Sequence, residues 1–184
     1  LMSGTSLDGL DIAYCKFSKT KDWAFEILKE RTICYSADLK DRLRNAPQLS
    51  EAQIETLSHD FGVFMAEQVN VFVNDHKIQC IDLVASHGHT VFHQPENRIS
   101  LQIGDVKPLF ECMQKPVVSD FRTQDVLLGG QGAPLVPIVD KLLFSEYDAC
   151  LNLGGFSNIS FDLDGERIAF DVCPVNIVLN HLSN

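Results

Sequence analysis

A long amphipathic segment, followed at once by a short apolar run, is the feature that most constrains how this chain folds. Over residues 51–76 the apolar side chains recur at helical spacing, which predicts one long helix with a single buried stripe. Ser50 and Gln53 have the spacing of a capping box at its start. Residues 81–85 (IDLVA) predict a buried strand, and a buried apolar strand after a helix is typical of a parallel sheet. The pattern therefore predicts an α/β fold.

Strand-like runs at both ends of the chain predict two similar sheets. Residues 1–2, 10–17 and 25–35 predict an antiparallel meander, and a second one begins near residue 149, with Asp164 and Gly165 as a hairpin turn. This repetition fits two lobes that face each other across a cleft. The glycine-rich residues 129–134 form the clearest break, so we predict a first lobe over residues 1–130 and the start of a second over 131–184. Because the chain begins in a strand pattern and stops in a helical one, we expect the second lobe to be incomplete.

Composition argues against two broad classes of partner. The chain has 15 Lys and Arg against 25 Asp and Glu, a net charge of −10, so general nucleic-acid binding is not expected. Its apolar runs are far too short to cross a bilayer, so no membrane partner is expected either. The six cysteines form no C-x-x-C pair and lie in or beside apolar segments, which predicts buried, reduced thiols in a cytosolic protein.

The loop between the first two predicted strands has the composition of an anion site. Residues 3–9 (SGTSLDG) supply three hydroxyls, two glycines and one carboxylate. Glycines let backbone N–H groups approach an anion closely, hydroxyls add donors, and the Asp8 carboxylate suits Mg²⁺. A tight hairpin turn explains the same composition equally well. The pattern G-x-x-x-x-G-K-[ST] is absent from the sequence, so a P-loop is not supported.

Asp171 is the candidate general base. It follows a predicted strand and precedes Pro174 and Asn176, where a helix is predicted to begin. A carboxylate in this position can take a proton from a sugar hydroxyl or from water. The competing interpretation is an ordinary helix N-cap.

Histidines and strand-end polar residues supply further candidates. His87, His89 and His93 have the spacing H-x-H-x₃-H, for which hydrogen bonding to a polar ligand or to backbone is favoured over a shared metal. Gln102 and Arg122 lie at predicted strand ends. The Arg122 guanidinium suits two-point binding of a carboxylate, and a structural ion pair with Asp120 or Asp125 is the alternative.

Seven motifs, in order and over essentially the whole chain, resemble the anhydro-N-acetylmuramic acid kinase family. The matching runs are residues 2–11 (MSGTSLDGLD), 86–90 (SHGHT), 101–105 (LQIGD), 120–122 (DFR), 129–137 (GGQGAPLVP), 152–159 (NLGGFSNI) and 171–176 (DVCPVN). The resemblance implies a two-lobed actin-like ATPase fold, ribonuclease H-like with mixed sheets, of which this chain covers about half.

The activity implied by the resemblance is ATP-dependent phosphorylation of 1,6-anhydro-N-acetylmuramic acid at O6, coupled to hydrolytic opening of the anhydro ring. The product is N-acetylmuramate 6-phosphate, formed during peptidoglycan recycling and amino sugar metabolism in the bacterial cytoplasm. ATP, Mg²⁺ and the anhydro-amino sugar are the implied ligands. Pairing of two subunits is a further expectation from the resemblance.

Residue roles also follow from the resemblance. Asp171 is implied as the base that activates water for attack at the anomeric carbon, and Asp8 as a ligand of Mg²⁺. The implied ATP-binding residues are Ser3, Gly4, Thr5, Ser6, Leu7, Asp8, Gly9, Leu10 and Asp11. The implied sugar-binding residues are His87, Gln102, Asp120, Arg122, Gly130, Gln131 and Asn176.

Two positions depart from the family pattern. Val172 and Cys173 stand where the family usually has Thr-Gly after the catalytic aspartate, and His89 replaces a usual glutamine. A side chain at residue 173 can obstruct the approach of backbone to a ligand. A catalytically impaired protein that binds nucleotide or sugar on the same fold is therefore the alternative interpretation.

Overall fold

The computed structural model describes residues 1–183, which form a mixed α/β structure. The first part of the chain contains β1 (Met2–Ser3), β2 (Leu10–Lys19), β3 (Trp23–Ile33), α1 (Ala37–Asn45), α2 (Glu51–Asp75), β4 (Val84–Ser86), β5 (His89–Gln94), β6 (Ile99–Ile103), α3 (Lys107–Met113) and β7 (Val117–Ser119). The remainder contains α4 (Thr123–Leu127), α5 (Pro137–Leu143), β8 (Ala149–Leu153), β9 (Phe156–Leu163), β10 (Glu166–Pro174) and α6 (Asn176–Ser183).

The first sheet has the strand order β3-β2-β1-β5-β6. Strands β1, β2 and β3 are antiparallel neighbours, which confirms the predicted opening meander. Strand β5 runs parallel to β1, with Ser3 opposite His89. The Leu1 nitrogen donates to Ala85 O at 2.6 Å and His87 N–H donates to Leu1 O at 3.0 Å. This is the pattern of a parallel pair, so the separate two-stranded sheet of β4 and its parallel partner β7 lies beside the start of β1.

Helix α2 covers this sheet with the apolar stripe that its sequence predicted. Its buried side chains include Leu57, Phe61, Met65, Val69 and Phe72, each no more than 4% exposed. Each such side chain contributes roughly 1.5–3 kcal/mol by leaving water. The Ser50 N–H donates to Gln53 Oε1 at 2.9 Å, which confirms the predicted capping interaction at the start of the helix.

One prediction about the parallel pair needs correction. The strand predicted over residues 81–85 was expected to be buried, yet β4 spans Val84–Ser86, Ala85 is exposed, and Val118 of its partner β7 is 46% exposed. Side chains alternate across a strand, so Val84 reaches the core and its neighbour faces outward. Helix α3 begins at Lys107, whose N–H donates to Asp105 Oδ1 at 2.9 Å.

The second sheet repeats the meander, with the order β10-β9-β8 and antiparallel neighbours throughout. Asp164 and Gly165 both have positive φ, 52° and 86°, which matches the predicted two-residue hairpin turn. Asp171 lies inside β10, and α6 begins at Asn176. The N-cap interpretation of Asp171 was therefore wrong, because the strand continues past it.

The cysteines and helices bear on two further expectations. All six cysteines are free thiols, which agrees with the reduced state that was predicted. Their predicted burial was wrong for four of them, because these four lie at exposed positions: Cys34, Cys80, Cys112 and Cys173. Among residues 1–183, no helix combines the length and the apolar character needed to cross a membrane.

Candidate active site

The loop between β1 and β2 is a tight turn anchored on its own apolar side chain. Leu7 N–H donates to Gly4 O at 3.1 Å, and Leu7 adopts a φ of 58° with its side chain buried. Gly9 is required by packing, since a Cβ there would lie 2.5 Å from Ile33 O. Thr5 and Asp8 remain exposed. The turn therefore fixes the backbone and leaves the Thr5 hydroxyl and the Asp8 carboxylate exposed at the surface.

Two residues that were predicted to bind ATP direct their side chains into the protein, and a third, Asp11, is exposed but bonds to the neighbouring strand. Ser3 is 2% exposed and Leu10 is fully buried in the core. Asp11 Oδ1 accepts a hydrogen bond from Thr32 Oγ1 of the neighbouring strand at 2.6 Å. These side chains hold the loop to the sheet, whereas Thr5 and Asp8 face outward.

The far end of the chain lies against the same loop. Asn180 Nδ2 in α6 donates to Asp8 Oδ1 at 3.0 Å. A Cβ on Gly155, in the turn between β8 and β9, would lie 3.4 Å from Thr5 Oγ1 and 3.3 Å from Ile177 Cγ1. Gly155 therefore allows the backbone of the second meander to approach the opening loop closely.

A small cavity brings together three of the residues that were predicted to bind the sugar, His87, Gln102 and Asp120. It lies at the carboxyl ends of β4, β6 and β7, the edge where open α/β sheets bind ligands. Its volume is about 50 Å³. The residues that line it are Ser86, His87, Gly88, Gln102, Ile103, Gly104, Ser119 and Asp120.

Gln102 carries an unpaired oxygen beside this cavity. Its Nε2 donates to Ser100 Oγ at 3.0 Å. Its Oε1 is buried and has no hydrogen-bond partner within residues 1–183. A buried acceptor without a donor costs free energy, so this oxygen is suited to an N–H or O–H group of a ligand.

His87 is held as a neutral imidazole by two neighbours. Its Nδ1 lies 3.1 Å from Gly88 O, and its Nε2 accepts from Arg122 Nε at 3.1 Å. Burial lowers the pKa of His87, the contact with Gly88 O opposes this, and the positive charge of Arg122 lowers it further. A neutral ring with its proton on Nδ1 satisfies both contacts.

Arg122 connects the cavity to the glycine-rich turn. Its second hydrogen bond runs from NH1 to Gly132 O at 2.6 Å. The proposed ion pairs with Asp120 or Asp125 do not form, because Asp120 accepts from Thr123 Oγ1 and Asp125 accepts from Gly132 N–H, each at 2.6 Å. Both contacts of Arg122 are neutral, so its positive charge remains available to an anionic ligand. Burial lowers the pKa of Arg122, although an arginine stays charged.

The predicted residues of the glycine-rich turn differ in their surroundings. Gly130 N–H donates to Asp125 O at 2.8 Å, and a Cβ on Gly130 would collide with the Asp125 carboxylate. Gln131 is exposed. Asn176 is bonded elsewhere, with Nδ2 donating to Leu153 O at 3.3 Å.

Asp171 is exposed and stands beside a β-bulge in β10. It pairs with Asn158, whereas Cys173 pairs with Ser157, so Val172 is the extra residue. The Ser157 hydroxyl accepts from Cys173 N–H at 3.3 Å and donates to Cys173 O at 3.1 Å. Bulges redirect neighbouring side chains and are frequent beside active sites.

His93 lies beside the glycine-rich turn. Burial and the Arg122 charge lower the pKa of His93, while Glu96 and Asp171 oppose this effect. A Cβ on Gly132 would lie 3.4 Å from His93 Cε1. His93 therefore lies near the turn that Arg122 also contacts, and its membership of the three-histidine pattern was the only sequence signal for it.

The three histidines do not converge on one point. His89 Nδ1 lies 3.0 Å from Ser3 Oγ, whereas His93 Nδ1 lies 3.2 Å from Ser100 Oγ. Over residues 1–183, no set of three or more His, Cys, Asp or Glu side chains is arranged to hold a metal ion. The contacts agree with the hydrogen-bonding interpretation of these residues.

Comparison with known proteins gives one consistent result. A family model described as anhydro-N-acetylmuramic acid kinase matches residues 1–183. Curated relatives of that name occur in Francisella tularensis subsp. novicida, 36% identical over 98% of this chain and 52% of the relative, and in Rhodopseudomonas palustris strain BisB18, 37% identical over 98% and 53%. Another, from Bacillus thuringiensis subsp. konkukian, is 32% identical over 99% and 52%. The chain spans about half the length of these curated relatives. The chain belongs to the anhydro-N-acetylmuramic acid kinase family.

Proposed function

We propose that the full-length protein phosphorylates 1,6-anhydro-N-acetylmuramic acid with ATP and opens its anhydro ring by hydrolysis, giving N-acetylmuramate 6-phosphate. The observation that carries this proposal is the family match over residues 1–183. The relatives are named as kinases, which favours catalysis over an impaired binding protein. A role in peptidoglycan recycling fits the family, and a cytoplasmic location and paired subunits are expectations from the same resemblance.

The proposed fold is the two-lobed, actin-like arrangement, with residues 1–130 in one lobe and 131–184 beginning the other. The antiparallel β3-β2-β1 meander, followed through the Leu1 hydrogen bonds by the parallel pair β4-β7, supports a ribonuclease H-like first lobe. The second meander, β8 to β10, supports a repeat of the same plan.

The opening loop is the proposed site for the phosphates of ATP and for Mg²⁺. The hydroxyl of Thr5 and the carboxylate of Asp8 are exposed oxygen donors, which suit phosphate and a hard cation respectively. A Cβ on Gly4 would lie 3.3 Å from Ser6 Oγ, so glycine keeps this backbone uncovered beside a hydroxyl. In kinases Mg²⁺ neutralises charge on the phosphates, and the loop would contribute binding and orientation.

The sugar is proposed to bind where the cavity opens beside Arg122. A volume of about 50 Å³ admits one substituent and leaves the ring outside. Gln102 Oε1 is the acceptor for an amide N–H or a hydroxyl of that substituent. The Arg122 guanidinium suits the lactyl carboxylate, because its two protein partners, His87 and Gly132 O, are neutral.

Asp171 is the proposed general base. Its exposed carboxylate takes a proton from water as the water oxygen bonds to the anomeric carbon. The bond from that carbon to O6 breaks in the same process, and O6 becomes the acceptor of the phosphoryl group.

Conversion of the anhydro sugar by the full-length protein tests both substrate and base. With ATP and Mg²⁺, we expect mass spectrometry to detect N-acetylmuramate 6-phosphate. Asp171→Asn should lower kcat by roughly 10²–10⁴-fold, the usual contribution of general base catalysis. Asp164→Asn is the matched control, because it removes an exposed carboxylate at the far end of the same hairpin. Full activity in Asp171→Asn would overturn the assignment of the base, and absence of product from the unchanged protein would overturn the substrate.

A further inference from the structure

We propose that Tyr35 and His89 are positioning residues that hold the phosphate loop in place through the Ser3 hydroxyl. The part of this inference that concerns nucleotide rests on the proposed function. Neither residue is expected to touch the ligand. Both are expected to act on the backbone of the loop that does.

The observation is a chain of three polar side chains, of which Ser3 and His89 are buried and Tyr35 is partly buried. Tyr35 OH donates to Ser3 Oγ at 2.7 Å, and Ser3 Oγ lies 3.0 Å from His89 Nδ1. Ser3 is 2% exposed and His89 is 4% exposed. The chain joins the segment after β3, the end of β1 and the start of β5.

The hydrogen bonds have one consistent direction. Because Tyr35 supplies its proton to Ser3, the Ser3 proton is free to go to His89 Nδ1. That requires a neutral His89 with its proton on Nε2. The groups that face it are Ser3, the edge-on ring of Phe61 and the neighbouring His87. Burial, assisted by His87, lowers the pKa of His89 to about 4, so the ring is neutral near pH 7.

The position of this chain suggests more than core packing. Ser3 is the last residue of β1, and Gly4 O immediately accepts the Leu7 N–H bond that closes the turn. Any shift of the Ser3 backbone therefore reaches the turn directly. The Tyr35 ring packs against Phe61 and Phe64, with centroids 6.1 and 5.9 Å away, so its hydroxyl is held in a fixed place.

Removal of the Tyr35 hydroxyl alone is the cleanest test. Tyr35→Phe keeps the ring contacts with Phe61 and Phe64 and breaks only the bond to Ser3. Tyr14→Phe is the matched control, because the Tyr14 hydroxyl donates to a backbone oxygen, Cys80 O, at 2.8 Å and makes no part of the chain.

Two readouts on the full-length protein separate this inference from the proposed function. Without nucleotide, amide hydrogen exchange over residues 3–10 should be roughly tenfold faster in Tyr35→Phe, because local opening becomes easier. Exchange in Tyr14→Phe should match the unchanged protein. In steady-state assays, KM for ATP should rise roughly threefold to tenfold, while KM for the anhydro sugar changes less than about twofold.

Variants of His89 complete the test. His89→Gln keeps a side-chain acceptor for the Ser3 hydroxyl, so its amide exchange over residues 3–10 and its KM for ATP should stay close to those of the unchanged protein. His89→Leu removes the acceptor and should behave like Tyr35→Phe. Loop exchange that is unaltered in both Tyr35→Phe and His89→Leu would overturn the inference. A protein that never turns over ATP would refute the proposed function instead, and the exchange measurement would still decide the role of Tyr35 and His89.

Discussion

At the scale of single residues, His89 couples folding to pH. Burial lowers its pKa from 6.5 to about 4, so the folded protein disfavours the charged ring. The resulting contribution to stability is complete above about pH 6.5 and is lost as the pH falls towards 4. A shift of this size corresponds to about 3 kcal/mol at most. Urea unfolding of the full-length protein between pH 4 and 7 should show it.

His89→Gln isolates this contribution from that of other groups. The pKa of His87 is also lowered, so some acid sensitivity remains when His89 is replaced. We expect the unfolding free energy of His89→Gln to depend less steeply on pH than that of the unchanged protein. Identical slopes in the two proteins would show that His89 ionises freely in the fold.

The sequence predicted the position of the opening loop better than the roles of its side chains. Composition left an anion site and a hairpin turn equally plausible, and the turn from Leu7 to Gly4 is compatible with both. Ser3 looked like a ligand because hydroxyls suit phosphate. Its side-chain partners in the structure, Tyr35 and His89, are 32 and 86 residues away, and local patterns carry no signal for such pairs.

At the scale of elements, the bulge in β10 determines where Asp171 points. The Ser157 hydroxyl bonds to both backbone groups of Cys173, at 3.3 and 3.1 Å, and so holds the bulge closed. Ser157→Ala removes both bonds, and small displacements of a reacting group can cost up to about 10²-fold in rate. We expect kcat to fall by roughly tenfold or more, with KM for ATP nearly unchanged.

Ser160→Ala is the control for a general loss of stability. Ser160 is buried in the same strand, and its hydroxyl bonds to Asp140 and Arg167 rather than to the bulge. Thermal unfolding should show destabilisation in both variants, whereas only Ser157→Ala should lose kcat strongly. An equal loss of kcat in Ser160→Ala would attribute the effect to loosening of the whole sheet.

Elements with strong local signals were predicted accurately. Three of these features depend on neighbours in sequence and appear as expected: the apolar stripe of α2, its capping box, and the Asp164–Gly165 turn. The bulge at Val172 was missed, and Asp171 was placed at a strand end instead of inside β10. Both depend on how β10 pairs with β9, which the sequence of β10 alone does not specify.

At the scale of the whole molecule, the candidate site depends on contact between the two ends of the chain. Asp8 and Asn180 are 172 residues apart, and they meet at 3.0 Å. The resemblance to a family predicted both the opening loop and the later NLGGFSNI motif, but their contact at Gly155 was not predicted. Glycines in a turn are common, and only the folded arrangement shows what this one approaches.

Gly155 is therefore expected to control how closely the second meander approaches the phosphate loop. A Cβ there would lie 3.3–3.4 Å from Ile177 and Thr5, so alanine requires small shifts and valine larger ones. We expect KM for ATP to rise a few-fold in Gly155→Ala and by roughly tenfold or more in Gly155→Val, as Thr5 is displaced.

Gly165→Asn is the control, because a Cβ at Gly165 meets nothing within 4 Å and asparagine tolerates its positive φ. Calorimetry should give the same ranking for nucleotide affinity, since the loop is displaced before any chemistry. Unchanged affinity in Gly155→Val would mean that nucleotide binding does not depend on this approach.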